Sequence, residues 1–444
     1  VEKYLIIANA LEELIRTSVL REGAKLKSIR TLSQEYHCSK STIIKALEHL
    51  KNAHLIYAVP KSGYYVIKKT FDDPVEGNPI LDFTNAAPSW RHFPYSDFQH
   101  CLNKAIDTYQ QDLFQYGTPR GLPSLIAEAK PLLESYQVYC KDEQIVISSG
   151  IQQALTVLCQ IPFPNHKNKV LIEEPGYHLF IQTLKYMNIP VATIKRAPDG
   201  IDFEALESIF RSGDIKFFYL MPRIHNPLGV SYTEEQKKQL LALADRYDVY
   251  LAEDDYMADY ETDPKVVPLH FYDIHQRVIY LKSFSKIMFP GLRVGFAVLP
   301  ESICKPFAEY KRLIDIDSSM FSQGALEIYI KSGMFGRHIH LVRNVYDDKA
   351  KKLRNAFEHN GMAELLPPSN IKGAKTFLQL PDTIHQVAFI RSLRKKGLLL
   401  EGMEKNYYTP APDDKRLKLD LANIDLERIE DAVTCPQFMY QRPC

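Results

Sequence analysis

From about residue 80 onward, short apolar runs of strand length alternate with amphipathic stretches of helix length, and this alternation narrows the fold more than any other feature. The runs are 144–148, 169–173, 215–221, 249–253, 277–282 and 293–299. Most are apolar at successive positions, so both faces of each strand need cover, and a mostly parallel sheet clothed by helices supplies it. The predicted class is therefore α/β. The last stretch, about 335–444, opens on a long helix and reads as a smaller α+β lobe.

The first 68 residues follow another pattern. Ile7, Leu11, Leu14 and Ile15 predict an amphipathic helix over 4–20, ended by Gly23. A second helix fits 28–36, with Ser28 as N-cap, and a third fits 40–51, with Ile43, Ala46, Leu47 and Leu50 on its apolar face. Two β-rich runs, 55–59 and 64–67, flank a turn. The expected organisation is a winged helix-turn-helix domain over 1–68, an aperiodic linker over 69–80 rich in turn residues, and a larger domain over 81–444.

Charge follows the same division. Residues 1–70 carry 12 Lys+Arg against 6 Asp+Glu, whereas the rest carries 43 against 48. A small basic module on a mildly acidic body suits contact with a polyanion. The 7 cysteines are scattered, odd in number and form no CxxC pair, which fits reduced thiols better than disulfides or a zinc site. With no apolar run long enough to span a bilayer and no secretory signal at its start, the chain is expected to be cytoplasmic, with no membrane partner and no metal.

Within the basic module, Ser39, Lys40, Ser41 and Thr42 open the third helix, whose N-terminal N–H groups favour phosphate. The hydroxyls suit phosphates or base edges, and Lys40 and Lys45 lie off the apolar face. Arg30 can clamp a phosphate or read guanine, and the wing carries Lys61 and a close-approaching Gly63. A protein-interaction module with solvated lysines is the competing reading. The three segments in register resemble the GntR family of winged helix-turn-helix regulators, in which similar segments touch double-stranded DNA. Lys40 stands where that family often has Arg, a more directional reader of bases.

The strongest motif of the larger domain is 283–295, directly after a predicted strand. A lysine there, Lys286, can be partly desolvated, which makes it a nucleophile, and Ser283, Ser285 and Arg293 suit a dianionic phosphate. Four more motifs fall where the same site needs them. Gly150, Ile151 and Gln152 open a helix whose N-terminus is an anion site. Strands also run out into Tyr177, into Asn226 within an Asn-Pro-x-Gly turn, and into Asp254 and Tyr256. Asp255 competes for the acid's role.

These motifs resemble fold type I aminotransferases, in which pyridoxal 5'-phosphate (PLP) is bound to a lysine as a Schiff base. The resemblance implies PLP on Lys286, Asp254 on the ring nitrogen, Asn226 and Tyr256 near the ring's phenolic oxygen, and Tyr177 stacked on the ring. It implies that Ser283, Ser285 and Arg293 hold the phosphate, and that Tyr116 reaches the neighbouring subunit's phosphate. A GntR-type head on such a body is the plan of the MocR/GabR family. That plan implies a cytoplasmic, head-to-tail homodimer that binds an operator and senses PLP, an amine or an amino acid.

One departure bears on the effector. Where aminotransferases carry a late arginine for the substrate carboxylate, this chain aligns Lys418, with Arg416 two residues away on the same strand face. Lysine cannot make the bidentate clamp, which argues against an α-amino-acid effector and against efficient transamination. Leu179 stands where the GABA-responsive member has Arg, which argues against GABA. The rival reading is a PLP-dependent aminotransferase with an accessory head, and a residual half-reaction remains compatible with the residues present.

Overall fold

A computed structural model describes residues 3–16, 20, 23–52, 55–59, 62–67, 80–367, 371–410 and 414–434. The expected linker up to residue 79, and Lys61 of the wing, lie outside the described residues. The chain divides into two compact units, Val1–Pro79 and Ile80–Cys444.

In the first unit α1 (Lys3–Arg16), α2 (Ile29–Glu35) and α3 (Lys40–Asn52) precede an antiparallel hairpin of β1 (Ile56–Val59) and β2 (Gly63–Val66). Ile7 and Leu11 of α1, Leu32 of α2 and Ile43, Leu47 and Leu50 of α3 meet in one buried core with Ile56 and Val66. The apolar period seen in the sequence is thus the face that packs. Ser28 caps α2 by accepting from the Thr31 N–H at 3.1 Å, and Ser39 accepts from the Thr42 N–H at 3.2 Å at the start of α3. Each hydroxyl satisfies a donor that the first helical turn leaves free.

The second unit begins with β3 (Leu81–Asp82), α4 (Tyr95–Tyr109) and α5 (Pro123–Ser135). Then strands and helices alternate: β4 (Ile145–Ser148), α6 (Ile151–Gln160), β5 (Lys169–Glu174), α7 (His178–Tyr186), β6 (Val191–Lys195), α8 (Phe203–Arg211), β7 (Ile215–Leu220), α9 (Glu234–Arg246), β8 (Tyr250–Asp254), β9 (Val278–Ser283) and β10 (Gly295–Val298). Two further helices follow, α10 (Glu301–Ile314) and α11 (Met320–Lys331), before the long α12 (Met334–His359). The lobe beyond it holds β11 (Lys375–Gln379), α13 (Gln386–Arg394), β12 (Leu398–Leu399), β13 (Glu401–Gly402), β14 (Arg416–Asp420) and α14 (Ile429–Val433).

The seven-stranded sheet has the order β4-β10-β9-β8-β7-β5-β6. Its strands from β9 to β6 are parallel, and β10 runs antiparallel to both neighbours. Every residue of β4, β7, β8 and β9 is buried, the two-sided burial that the continuous apolar runs require. The sequence pattern missed β6, and the reason is physical. As the edge strand it is only partly covered, so its residues mix Thr193 and Lys195 with apolar positions. In the lobe, β14 lies between β11 and β13, and β3 pairs in parallel with β12. Among the described residues no helix is long and apolar enough to cross a membrane.

Candidate functional site

A cavity of about 290 Å³ lies where the carboxyl ends of the central strands face the C-terminal lobe. Open α/β sheets place ligands at this edge, because the loops there diverge and the helix N-termini point inward. Its wall includes Gly150, Ile151, Gln152, Tyr177, Asn226, Asp254, Tyr256, Ser283, Ser285, Lys286, Arg293 and Lys418. The fold therefore gathers onto one surface residues that lie up to 268 positions apart.

Lys286 follows β9 and donates from Nζ to the Ala86 carbonyl at 2.6 Å. Burial, reinforced by the nearby Lys375 ammonium, pushes its pKa down to about 8. A neutral amine is then a sizeable fraction near physiological pH, as a nucleophile requires.

Asp254 ends β8. Its Oδ2 accepts from the Tyr219 hydroxyl at 2.6 Å, and its buried Oδ1 has no hydrogen-bond partner among the described residues. Burial pushes its carboxyl up to about 7, because no cation stands beside it to favour the charged form. The competing Asp255 is already committed. It receives two bonds from the buried guanidinium of Arg223 and one from the Tyr280 hydroxyl at 2.7 Å, and it does not line the cavity. Successive residues of a strand point to opposite faces, which is why neighbouring acids meet different surroundings.

On the opposite wall, Gly150 has φ +95° and caps α6, and a Cβ there would stand 3.0 Å from the Arg293 guanidinium. Arg293 donates to the Ser149 carbonyl at 2.6 Å and so turns toward this helix N-terminus. The N–H groups of Ile151 and Gln152 lie in the first turn and have no intrahelical acceptor. Ser283 accepts from the Ser285 N–H at 3.1 Å. Guanidinium, hydroxyls and helix N-terminus converge on one end of the cavity, the arrangement a phosphate needs.

Tyr177 lies between these two ends, and burial, with the Asp254 carboxylate, pushes its hydroxyl up to about 12. Asn226 is presented by a loop that Gly229 closes at φ +69° against the Lys375 carbonyl, where a Cβ would stand 2.4 Å away. The fit to PLP can be read from atoms left over. Asp254 Oδ1, the Tyr256 hydroxyl and Gln152 Oε1 are buried without partners among the described residues, and all three residues line the cavity. Buried polar atoms are otherwise almost always paired, so these three fit a ligand such as PLP, which brings an N–H and further polar groups.

Two expected residues lie elsewhere. Arg416 does not line the cavity: its guanidinium is held by Asp414, with Nε at 2.8 Å from Oδ1, and by the Tyr407 hydroxyl at 2.9 Å. An arginine two residues from Lys418 shares its strand face, but this one is consumed by a local partner. Tyr116 is 84% exposed and lies outside this chain's own cavity. Of the head residues, Arg30, Lys40, Ser41 and Lys45 are exposed, while the Ser39 hydroxyl is occupied by Ser41, Thr42 and the Thr42 N–H. Gly63 has φ +120°.

The sequence reading missed Tyr219, Lys375, Glu401 and Asp420. Lys375 donates to Asp420 Oδ2 at 2.5 Å and Lys418 to Glu401 Oε1 at 2.6 Å, and all four charged groups line the cavity. The available signal was a charge inside a short apolar strand, which marks a paired or functional position.

Residues 91–434 match the model of aminotransferase class I and II, and residues 3–66 match that of bacterial regulatory proteins of the gntR family. The HTH-type transcriptional regulator YcxD of Bacillus subtilis is 48% identical over 436 residues, spanning 97% of this chain and 98% of that protein. The probable rhizopine catabolism regulatory protein MocR of Rhizobium meliloti is 25% identical, over 80% of this chain and 71% of its own length. Among solved structures, Pyrococcus horikoshii kynurenine aminotransferase in complex with PMP superposes with a TM-score of 0.73 at 25% identity, covering 83% of this chain and 93% of that one.

Proposed function

This chain belongs to the class I and II aminotransferase family and, with its gntR-family head, to the MocR-type transcriptional regulators, and on that premise we propose that it is a DNA-binding regulator whose body holds PLP through Lys286. The observation that carries this reading is the set of unpartnered buried polar atoms on residues that share the cavity wall with Lys286. Lys286 would hold the aldehyde carbon, and Arg293, Ser283, Ser285 and the start of α6 the phosphate. Asp254 would pair with the ring nitrogen, Tyr256 and Asn226 with the phenolic oxygen, and Tyr177 would cover the ring. When bound, the cofactor supplies an electrophilic carbon and an electron-withdrawing ring.

The chain's own residues define the rest. Asp254 would keep a proton on the ring nitrogen, Lys286 would anchor the cofactor through an amine that burial keeps partly neutral, and Lys418 would offer the effector's carboxylate a single point charge. An effector alters DNA binding only if it favours one arrangement of the two heads over another. A homodimer supplies two heads for two half-sites. The body carries a surface suited to pairing: Phe114, Tyr116, Leu313, Ile314, Ile316 and Phe321 are exposed, and Gly117 abuts the Asp317 side chain, which brings their segments together. Tyr116 within that surface suits a residue that completes the partner's phosphate site, in a head-to-tail pair.

The test is a gel shift on the DNA upstream of the chain's own coding sequence, without PLP, with PLP, and with PLP plus amino acids. PLP alone is expected to change affinity if the cofactor is the signal, and the amino acids to change it further if an amine is. Identical shifts in all lanes would contradict the reading. The enzyme alternative draws on the same complete set of Lys286, Asp254, Asn226 and Arg293, and turnover of an amino acid panel by the PLP-loaded protein decides it.

A further inference from the structure

Four lysine and arginine side chains line the cavity among the described residues: Lys286, Arg293, Lys375 and Lys418. Lys286 and Arg293 serve the two ends of the cofactor in the reading above, on which this inference rests. Lys375 is fixed by Asp420, whose other oxygen accepts the Ala422 N–H at 3.0 Å, so neither member of that pair is free to turn.

Lys418 is different. Its partner Glu401 stands opposite it across β13 and β14, with Oε1 2.6 Å from Nζ. The pair is lopsided, because the lysine side chain is 16% exposed and the glutamate 36%. Glu401 also has a second cation on its outer side: Oε2 lies 3.6 Å from Nζ of Lys405, which is 67% exposed. Glu401 therefore spans an inner ammonium on the cavity wall and an outer one in solvent. If it turns outward it keeps a counter-ion, while Lys418 is left facing the cavity with a charge to neutralise. His178, on the same wall, is held toward its neutral form by burial and by Lys418, and so competes little with Lys418 for an anion.

We propose that Glu401 is a resident occupant of the effector's carboxylate subsite, neutralising Lys418 in the resting protein and yielding that ammonium to an incoming carboxylate by turning toward Lys405. The effector class this geometry suits is an amino acid that brings one carboxylate to Lys418. An amine without a carboxylate leaves the Glu401–Lys418 pair closed. Because one carboxylate replaces another at the same cation, the exchange gains little net energy, and preference for amino acids over amines is small in the natural chain.

The test uses two probes that differ only by a carboxylate, N-(5'-phosphopyridoxyl)glycine and N-(5'-phosphopyridoxyl)methylamine, titrated calorimetrically into the full-length cofactor-free protein. Glu401→Gln is expected to tighten the glycine probe about tenfold and leave the methylamine probe within about twofold. Glu401→Asp, which retains the charge, stays near the natural ratio, and Lys418→Gln abolishes the preference. Lys405→Gln, at an exposed position, removes the outer counter-ion and weakens the glycine probe about threefold with no effect on the other. The methylamine probe reports in every variant that the cavity is folded. An unchanged ratio in Glu401→Gln, or an equal shift of both probes, overturns the proposal. If neither probe binds the natural chain, the cofactor reading itself fails and the proposal falls with it.

Discussion

At the scale of single residues, the site rests on two perturbed groups with opposite signs. The Lys286 amine titrates near 8, well below an ordinary lysine, because it is buried beside Lys375. The rate of PLP capture is therefore expected to rise about tenfold per pH unit up to about pH 8 and then level off, whereas an ordinary lysine would keep climbing toward about 10.4. Stopped-flow absorbance across that range checks it. Asp254 is shifted the other way, to about 7. Its folded value lies above its unfolded one, so the folded chain binds the proton more tightly between the two, and stability falls as pH rises through about 7. Melting of the cofactor-free protein should show that fall between about pH 4 and about pH 7 and a level curve above it, and Asp254→Asn should flatten it. A mutant curve parallel to the natural one would mean that Asp254 is already paired.

At the scale of elements, the helix ends and turns separate architecture from recognition. Ser28 caps α2 with its side chain, whereas Arg30, in the first turn, is an exposed side chain. Ser28→Ala is expected to cost the head about 1 kcal/mol of stability. Arg30→Ala should change stability by less than about 0.5 kcal/mol, yet weaken DNA binding and reduce its salt dependence. Equal effects of the two on melting and on DNA affinity would remove Arg30 from the interface. Gly229→Ala forces a Cβ against the Lys375 carbonyl at a φ of +69° and should destabilise the body by about 2 kcal/mol, with weaker PLP binding as the Asn226 loop shifts.

The same elements explain what could be read in advance. Strands buried on both faces announce themselves as continuous apolar runs, so the central strands and the residues that follow them were legible, Lys286 and Asp254 included. Pairing is not a property of a run. Nothing local told Asp255, bound by Arg223, from Asp254, and nothing local showed that Asp414 would claim Arg416 or that Glu401 would meet Lys418. These contacts join segments whose register only the folded lobe fixes.

At the scale of the whole molecule, the proposed function requires two heads answering to one chemistry. Replacing Phe114 and Leu313 by Asp puts charge into the exposed apolar surface and should shift the protein to monomers in sedimentation, with affinity for a two-half-site DNA falling at least about tenfold. An intact dimer in that variant would place the pairing surface elsewhere. The cavity holds three lysines, Lys286, Lys375 and Lys418, and each is in principle able to take up an aldehyde. The protein should therefore be loaded with PLP, reduced with borohydride, digested and mapped by mass spectrometry. The phosphopyridoxyl group is expected on the peptide containing Lys286 and on no other. A label on Lys375 or Lys418, or none at all, would contradict the assignment of the cofactor to Lys286.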